Sequence, residues 1–207
     1  MKHRVFFSFH YMKDSWRAGQ VRNMGILEGN PPVSTNEWEE VKQKGNNNIE
    51  RWIAQNMDSK TCLVQLVGED TYSRKWCKHE IKHAWKECKG IVCIYIHGLK
   101  DVLGNKGRKG ANPLKQFCID KTFNYIAEHE KPADGNEINL SQICKAYDTP
   151  FVTSTNVYNY IKEHIGEWVD EAISIRKRIQ NNTSEVLHIR RIWWMAAGNT
   201  SSLGGYR

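Results

Sequence analysis

The chain has 207 residues, 40% of them hydrophobic and 26% charged, with eight tryptophans, which suits one sizeable core plus an appendage rather than several domains. Thirty basic side chains against 23 acidic ones leave a net charge of +7, a balance that favours anionic ligands such as nucleotides and phosphates. No apolar run approaches the roughly 18–20 residues of a membrane span and no nucleic-acid-binding signature is present, so neither a membrane nor a nucleic acid is expected as a partner.

Met1-Lys2-His3-Arg4 leads directly into the strand-like Val5-Phe6-Phe7, so no secretory leader is expected. The six cysteines (62, 77, 88, 93, 118 and 144) include no C-x-x-C pair. Four of them sit inside apolar elements, as free thiols do, and the expected setting is a reducing cytoplasm.

Residues 4–9 (RVFFSF) form a β-branched and aromatic run that predicts a central, buried first strand. In open α/β sheets ligands collect beyond the carboxyl ends of strands, which makes Ser8, Phe9 and His10 candidate site residues. A turn hydroxyl for Ser8 and a core ring for Phe9 explain them equally well. A first helix is predicted over residues 14–25, carrying Trp16, Val21 and Met24, and Glu28-Gly29-Asn30-Pro31-Pro32 breaks it. An acidic loop over residues 35–40 holds an isolated Trp38, and residues 47–57 read as a helix with Ile49, Trp52 and Ile53 on one face.

The most informative stretch is residues 61–88. Residues 62–67 (CLVQLV) read as a buried strand, residues 68–74 as a turn, and the chain from Trp76 onward as a helix. At about 100° per residue, Trp76, Cys77, Ile81, Ala84, Trp85 and Cys88 share one arc and Lys78, Lys82 and Lys86 lie opposite. Glu80 falls inside the apolar arc, where a carboxylate is unfavourable unless it has a partner or a task. The bland account is a boundary glutamate held by a lysine or a backbone amide. The sharper one is a partly desolvated carboxylate at the mouth of a strand–loop–helix crevice. A third reading comes from His79-Glu80-Ile81-Lys82-His83, which spells the helical zinc pattern H-E-x-x-H. The adjacent lysines oppose a dication and no third ligand follows, so no metal is expected there.

Residues 90–97 (GIVCIYIH) predict another buried strand, and residues 98–113 a mobile loop rich in Gly and Lys that lacks a P-loop pattern. Residues 117–126 suit a short strand or helix, residues 131–139 a polar break, and residues 151–153 a last extended piece. A long helix is predicted over residues 156–179, with Val157, Ile161, Ile165, Trp168 and Val169 on its packing side. From residue 181 the chain turns basic and aromatic, then small and polar. The domain reading is therefore 1–180, with 181–207 a tail of unassigned role.

Strands alternating with helices give a flavodoxin-like α/β fold with a central parallel sheet and a C-terminal helical extension. Three passages together carry a resemblance: R-V-F-F-S-F-H-Y at 4–11, Trp38-Glu39 ahead of a helix, and W-C-K-H-E-I at 76–81. The loop from Lys100-Asp101 to Asn112-Pro113 matches as well. Across about residues 4–180 the chain resembles the TIR-like family that includes the ThsB proteins of Thoeris antiphage systems. The resemblance implies an NAD-consuming enzyme, an NAD+ glycohydrolase or ADP-ribosyl cyclase, with Glu80 catalytic and Ser8, Phe9, His10, Trp38 and Trp76 at the nucleotide. It implies NAD+ as substrate with no resident cofactor, and a cyclic or modified ADP-ribose messenger that activates an effector protein. It also implies a phage-derived trigger and a homo-oligomer whose assembly completes the site. The alternatives are a non-catalytic flavodoxin-like interaction module and a zinc hydrolase built on His79, Glu80 and His83.

Overall fold

The computed structural model describes residues 2–29, 43, 45–133 and 135–198, with side chains as far as residue 181. Its elements are β1 (Val5–Ser8), α1 (Tyr11–Arg22), α2 (Asn46–Asp58), β2 (Cys62–Val67), α3 (Lys75–Lys86), β3 (Gly90–Tyr95), β4 (Phe117–Asp120), β5 (Ile126–Glu128), β6 (Glu137–Asn139), β7 (Lys145–Tyr147) and α4 (Ser154–Gly198).

The main sheet is parallel throughout, in the order β1-β2-β3-β7. β1, β2 and β3 read as nearly continuous apolar runs because both faces are covered. Alternation along β2 sends Cys62, Val64 and Leu66 to one face, where they meet Ala18 and Val21 of α1 and Val157, Ile161 and Ile165 of α4. Leu63 and Val67 face the other way, onto Ile49, Ile53 and Met57 of α2 and Ile81, Ala84 and Trp85 of α3. The result is helix–sheet–helix, three layers from one alternation. At the start of β3 the layers touch closely: a Cβ on Gly90 would stand 2.9 Å from the backbone of Ala172 and Ile173. Arg176 of α4 ties the far side, lying over the Trp85 ring at 4.1 Å and donating Nη2 to the Trp85 carbonyl at 2.9 Å.

Several expectations are corrected. β1 is fully buried, as predicted, but among the described residues β2 and β3 are the central strands. On its other side β1 has a single parallel bridge, Arg4 with Glu28. The last strand of the main sheet is β7 and not residues 151–153, where Phe151 and Val152 are exposed. β7 is only three residues long and owes its existence to pairing with β3, so it has no apolar run of its own. Residues 117–128 form two antiparallel strands of a second sheet, ordered β5-β4-β6, which the polar sequence between them did not suggest.

The loop expected to be mobile is pinned. Asp101 accepts backbone N–H bonds from Leu103 at 3.0 Å and Asn105 at 2.9 Å, Gly107 donates to the His97 carbonyl, and Leu99 is buried. α4 runs on well past residue 179, so the boundary set at 180 falls inside a continuous helix. Among the described residues no helix is long and apolar enough to cross a membrane, and all six cysteines are free.

Candidate active site

Ser8 is the last residue of β1, and its register partner on β2 is Gln65. Both point to the α3 side, where Glu80 descends from the second turn of that helix. Ser8 Oγ lies in short hydrogen-bond contact with a Glu80 carboxyl oxygen and 2.9 Å from Gln65 Oε1, while Gln65 Nε2 donates to the Ser8 carbonyl at 3.2 Å. All three are buried: Glu80 is 8% exposed, Ser8 2% and Gln65 0%. A serine hydroxyl has one proton and cannot donate to two oxygens. The contacts are satisfied together if Glu80 is protonated and donates to Ser8, which donates to Gln65. If Glu80 ionises, Ser8 must turn to it and release Gln65. The knot therefore has two hydrogen-bond states set by one proton.

Burial, opposed by the Ser8 hydrogen bond, pushes the Glu80 carboxyl from its ordinary 4.5 up to about 8. Burial and then the Glu80 charge push the neighbouring Cys77 thiol up to about 12, against hydrogen bonding from Ser8 and Gln65. Between about pH 4.5 and 8 the folded protein retains a Glu80 proton that the unfolded chain has released, so this group makes stability fall as pH rises through that window. Asp14 is also raised by burial, and burial lowers His10, His79, His83 and His97, so the clean quantity is a difference. Glu80→Gln is expected to gain stability relative to wild type by roughly 3–5 kcal/mol on going from pH 4.5 to 8. Parallel urea titrations across that range check it; a difference that stays constant with pH would mean Glu80 is ionised throughout.

The remaining candidates separate. Phe9, one residue on from Ser8, faces the opposite side of the sheet, packs against the α1/α4 core and stacks on Tyr11 at 6.4 Å. His10 lies among Lys13, Asp70 and Arg74 at the strand tips; burial and then Arg74 pull its imidazole below the ordinary range. Trp76 is half-buried one turn before Glu80, edge-on to His79 at 5.8 Å, with Lys75 Nζ 4.6 Å from its ring centre. Trp38 lies outside the described residues.

His79 and His83 stack in parallel at 6.3 Å and line a groove of about 560 Å³ with Lys82, Lys86, Tyr125 and Glu128. Glu80 faces the core instead, so the three residues of the zinc-like pattern do not converge. Gln65 and Cys77 were not singled out in the sequence, although a lone glutamine in the run CLVQLV was the available signal. Asp14 and Arg17 were also missed. Both are buried where α1 meets the strand tips: Arg17 donates to Asp14 Oδ1 at 3.3 Å, to the Leu99 carbonyl at 2.9 Å, to the Asn105 carbonyl at 3.0 Å and to Asp101 at 3.3 Å. The other Asp14 oxygen abuts Gly68, where a Cβ would stand 2.1 Å away.

A parallel sheet between two helical layers, with a buried glutamate four residues after a tryptophan on the helix following β2, defines a TIR-like α/β domain. Residues 6–101, which span β1 to β3 and include Glu80, match the family model described as "Thoeris protein ThsB, TIR-like domain". It is similar to a Bacillus cereus (strain MSX-D12) protein named "Putative cyclic ADP-D-ribose synthase ThsB1", 29% identical over 145 residues that cover 68% of this chain and 70% of that protein.

Proposed function

We propose that this protein cleaves the nicotinamide–ribose bond of NAD+, with Glu80 as the carboxylate beside the ribosyl carbon, and releases a cyclic or otherwise modified ADP-ribose. The observation that carries the reading is an inward-turned carboxyl group at the end of β1, held by a serine and shielded from water. The name of the similar Bacillus cereus protein supports the substrate and the cyclic product.

The chemistry suits such a group. As the C–N bond breaks, its electron pair goes to the nicotinamide nitrogen, which leaves neutral, and positive charge develops on the ribose. A carboxylate beside that carbon stabilises the charge, more strongly in a water-poor site than in bulk solvent. Attack by water then gives ADP-ribose, and attack by an atom of the same molecule gives a cyclic isomer, with a proton released to solvent whenever the attacking atom is a water or hydroxyl oxygen. Buried against Ser8 and Gln65, with its carboxyl pushed up to about 8, Glu80 is neutral near pH 7 before substrate binds. The cationic nicotinamide of NAD+ favours the charged carboxylate, so substrate entry releases the Glu80 proton to solvent and turns the Ser8 hydroxyl from Gln65 to Glu80. Trp76, at the start of the same helix, offers a ring face for a base or the nicotinamide.

On this reading the product is a messenger to a separate effector in antiphage defence, a phage-derived signal starts synthesis, and like copies of the chain assemble to complete the site. A second reading, a non-catalytic assembly module, is favoured by one observation: Glu80 is only 8% exposed. The test is to incubate the full chain with NAD+, alone and after exposure to extract from phage-infected cells, and to identify products by mass spectrometry. Free nicotinamide with a cyclic ADP-ribose isomer is expected in at least the second arm. NAD+ left intact in both arms overturns the proposal in favour of the module.

A further inference from the structure

The second sheet carries a polar cluster away from the proposed NAD+ site. Alternation along β4 sends Phe117 and Ile119 into the apolar cluster shared with α3, so Cys118 between them faces the other side. It is fully buried there, but not among apolar side chains: Cys62, Cys93 and Cys144 belong to the two hydrophobic clusters and Cys118 to neither. Its sulfur lies instead with a ring nitrogen of His129, just beyond β5, and a carboxylate oxygen of Glu137, the first residue of β6. These three ligand atoms all lie within 4.8 Å of one another, and His129 Nε2 is 3.2 Å from Glu137 Oε2.

We propose that Cys118, His129 and Glu137 bind a divalent transition-metal ion of the zinc type, with a fourth position open to water. The donor set is the argument for the ion. A thiolate, an imidazole and a carboxylate suit zinc, whereas calcium and magnesium take oxygen ligands only. Zinc bonds of about 2.0–2.3 Å in a tetrahedron put ligand atoms roughly 3.3–3.8 Å apart. His129 and Glu137, 3.2 Å apart, fall just short of that spacing, and the sulfur, within 4.8 Å of both, must close by roughly 1.5 Å at most, which side-chain rotation supplies.

The supporting contacts are in place as well. The Ala133 N–H donates to Glu137 Oε2 at 2.8 Å, fixing one carboxylate oxygen, and Asn139 Nδ2, 3.9 Å from the Cys118 sulfur, gives its two protons to the Lys115 and Glu130 carbonyls at 2.9 and 3.0 Å, which ties the chain after His129 to β6. The Cys118 thiol donates to the His129 carbonyl at 3.3 Å. Metal binding releases that proton to solvent as the sulfur becomes a thiolate ligand. A bound ion ties β4, the start of β6 and the chain just beyond β5 together. This is independent of the H-E-x-x-H pattern on α3, whose two histidines line a different groove.

The experiment uses the full chain, reduced and stripped with chelator, and titrates it with Co²⁺ and then Zn²⁺. One equivalent of Co²⁺ is expected to bind with a thiolate-to-cobalt charge-transfer absorption, and Zn²⁺ to displace it and raise the thermal midpoint. Cys118→Ser should abolish the absorption, His129→Gln should weaken binding at least about tenfold, and His79→Ala/His83→Ala should leave both unchanged. Should Cys118→Ser fail to fold, His129→Gln carries the test, since its parent side chain is one-third exposed. Absence of stoichiometric binding to the folded wild type, or binding unaltered by His129→Gln, overturns the proposal.

Discussion

Glu80→Gln is expected to lower NAD+ turnover by about 10²–10⁴-fold, mostly in kcat, while leaving the protein folded. Gln matches Glu in shape and keeps a hydrogen-bonding group beside Ser8 and Gln65, so the packing of the knot is retained. What it loses is the ability to become an anion when positive charge develops on the ribose. Structural damage would lower stability together with turnover. Here the two should move in opposite directions at pH 8, because Gln removes the unfavourable ionisation of a buried group. Steady-state kinetics with nicotinamide release as readout, alongside urea melts of the same preparations, checks both. Turnover within a few fold of wild type would remove Glu80 from the chemistry and end the proposed mechanism.

Arg17→Met is expected to destabilise the fold by about 3–5 kcal/mol, the usual consequence of stripping one partner from a buried ion pair. Arg17 is 6% exposed and Asp14 3%. Burial already raises the Asp14 carboxyl, and Arg17 is the largest influence holding it down. The same guanidinium reaches the Leu99 and Asn105 carbonyls and Asp101, so its loss also unpins the loop from α1. Because α1 begins three residues after Ser8, this strut lies against the frame of the Glu80 knot. Asp14→Asn added to Arg17→Met should recover part of the loss, since it removes the stranded charge. Urea midpoints at constant slope measure both variants. A single variant within about 0.5 kcal/mol of wild type would show that the pair carries no net stabilisation.

Much of the layered core was legible because its signals are local. The run CLVQLV bounds β2 without error, GIVCIYIH finds β3 but overruns its end by two residues, and the helical wheel of residues 76–88 places Glu80 on the packing face. Each of these depends only on the 2.0 or 3.6 residue period of one segment. The second sheet and the last strand of the main one were not legible, since β5, β6 and β7 are three residues each and hold together by pairing with partners elsewhere in the chain. The pinned loop was misread for a related reason. Gly and Lys describe its composition, while its order comes from the backbone bonds that Asp101 collects and from Arg17, some 80 residues earlier.

By itself, then, the sequence determined the parallel α/β layering and the inward side of Glu80, because periodicity in one stretch of chain is enough to orient a side chain toward the core. The tertiary structure alone decided what Glu80 meets there. Ser8, Gln65 and Cys77 come from three elements, and their convergence removes the carboxyl from water, raises its proton affinity and gives the knot two hydrogen-bond states. Desolvation and hydrogen bonding between distant segments depend on three-dimensional proximity, and no spacing within a single stretch encodes that.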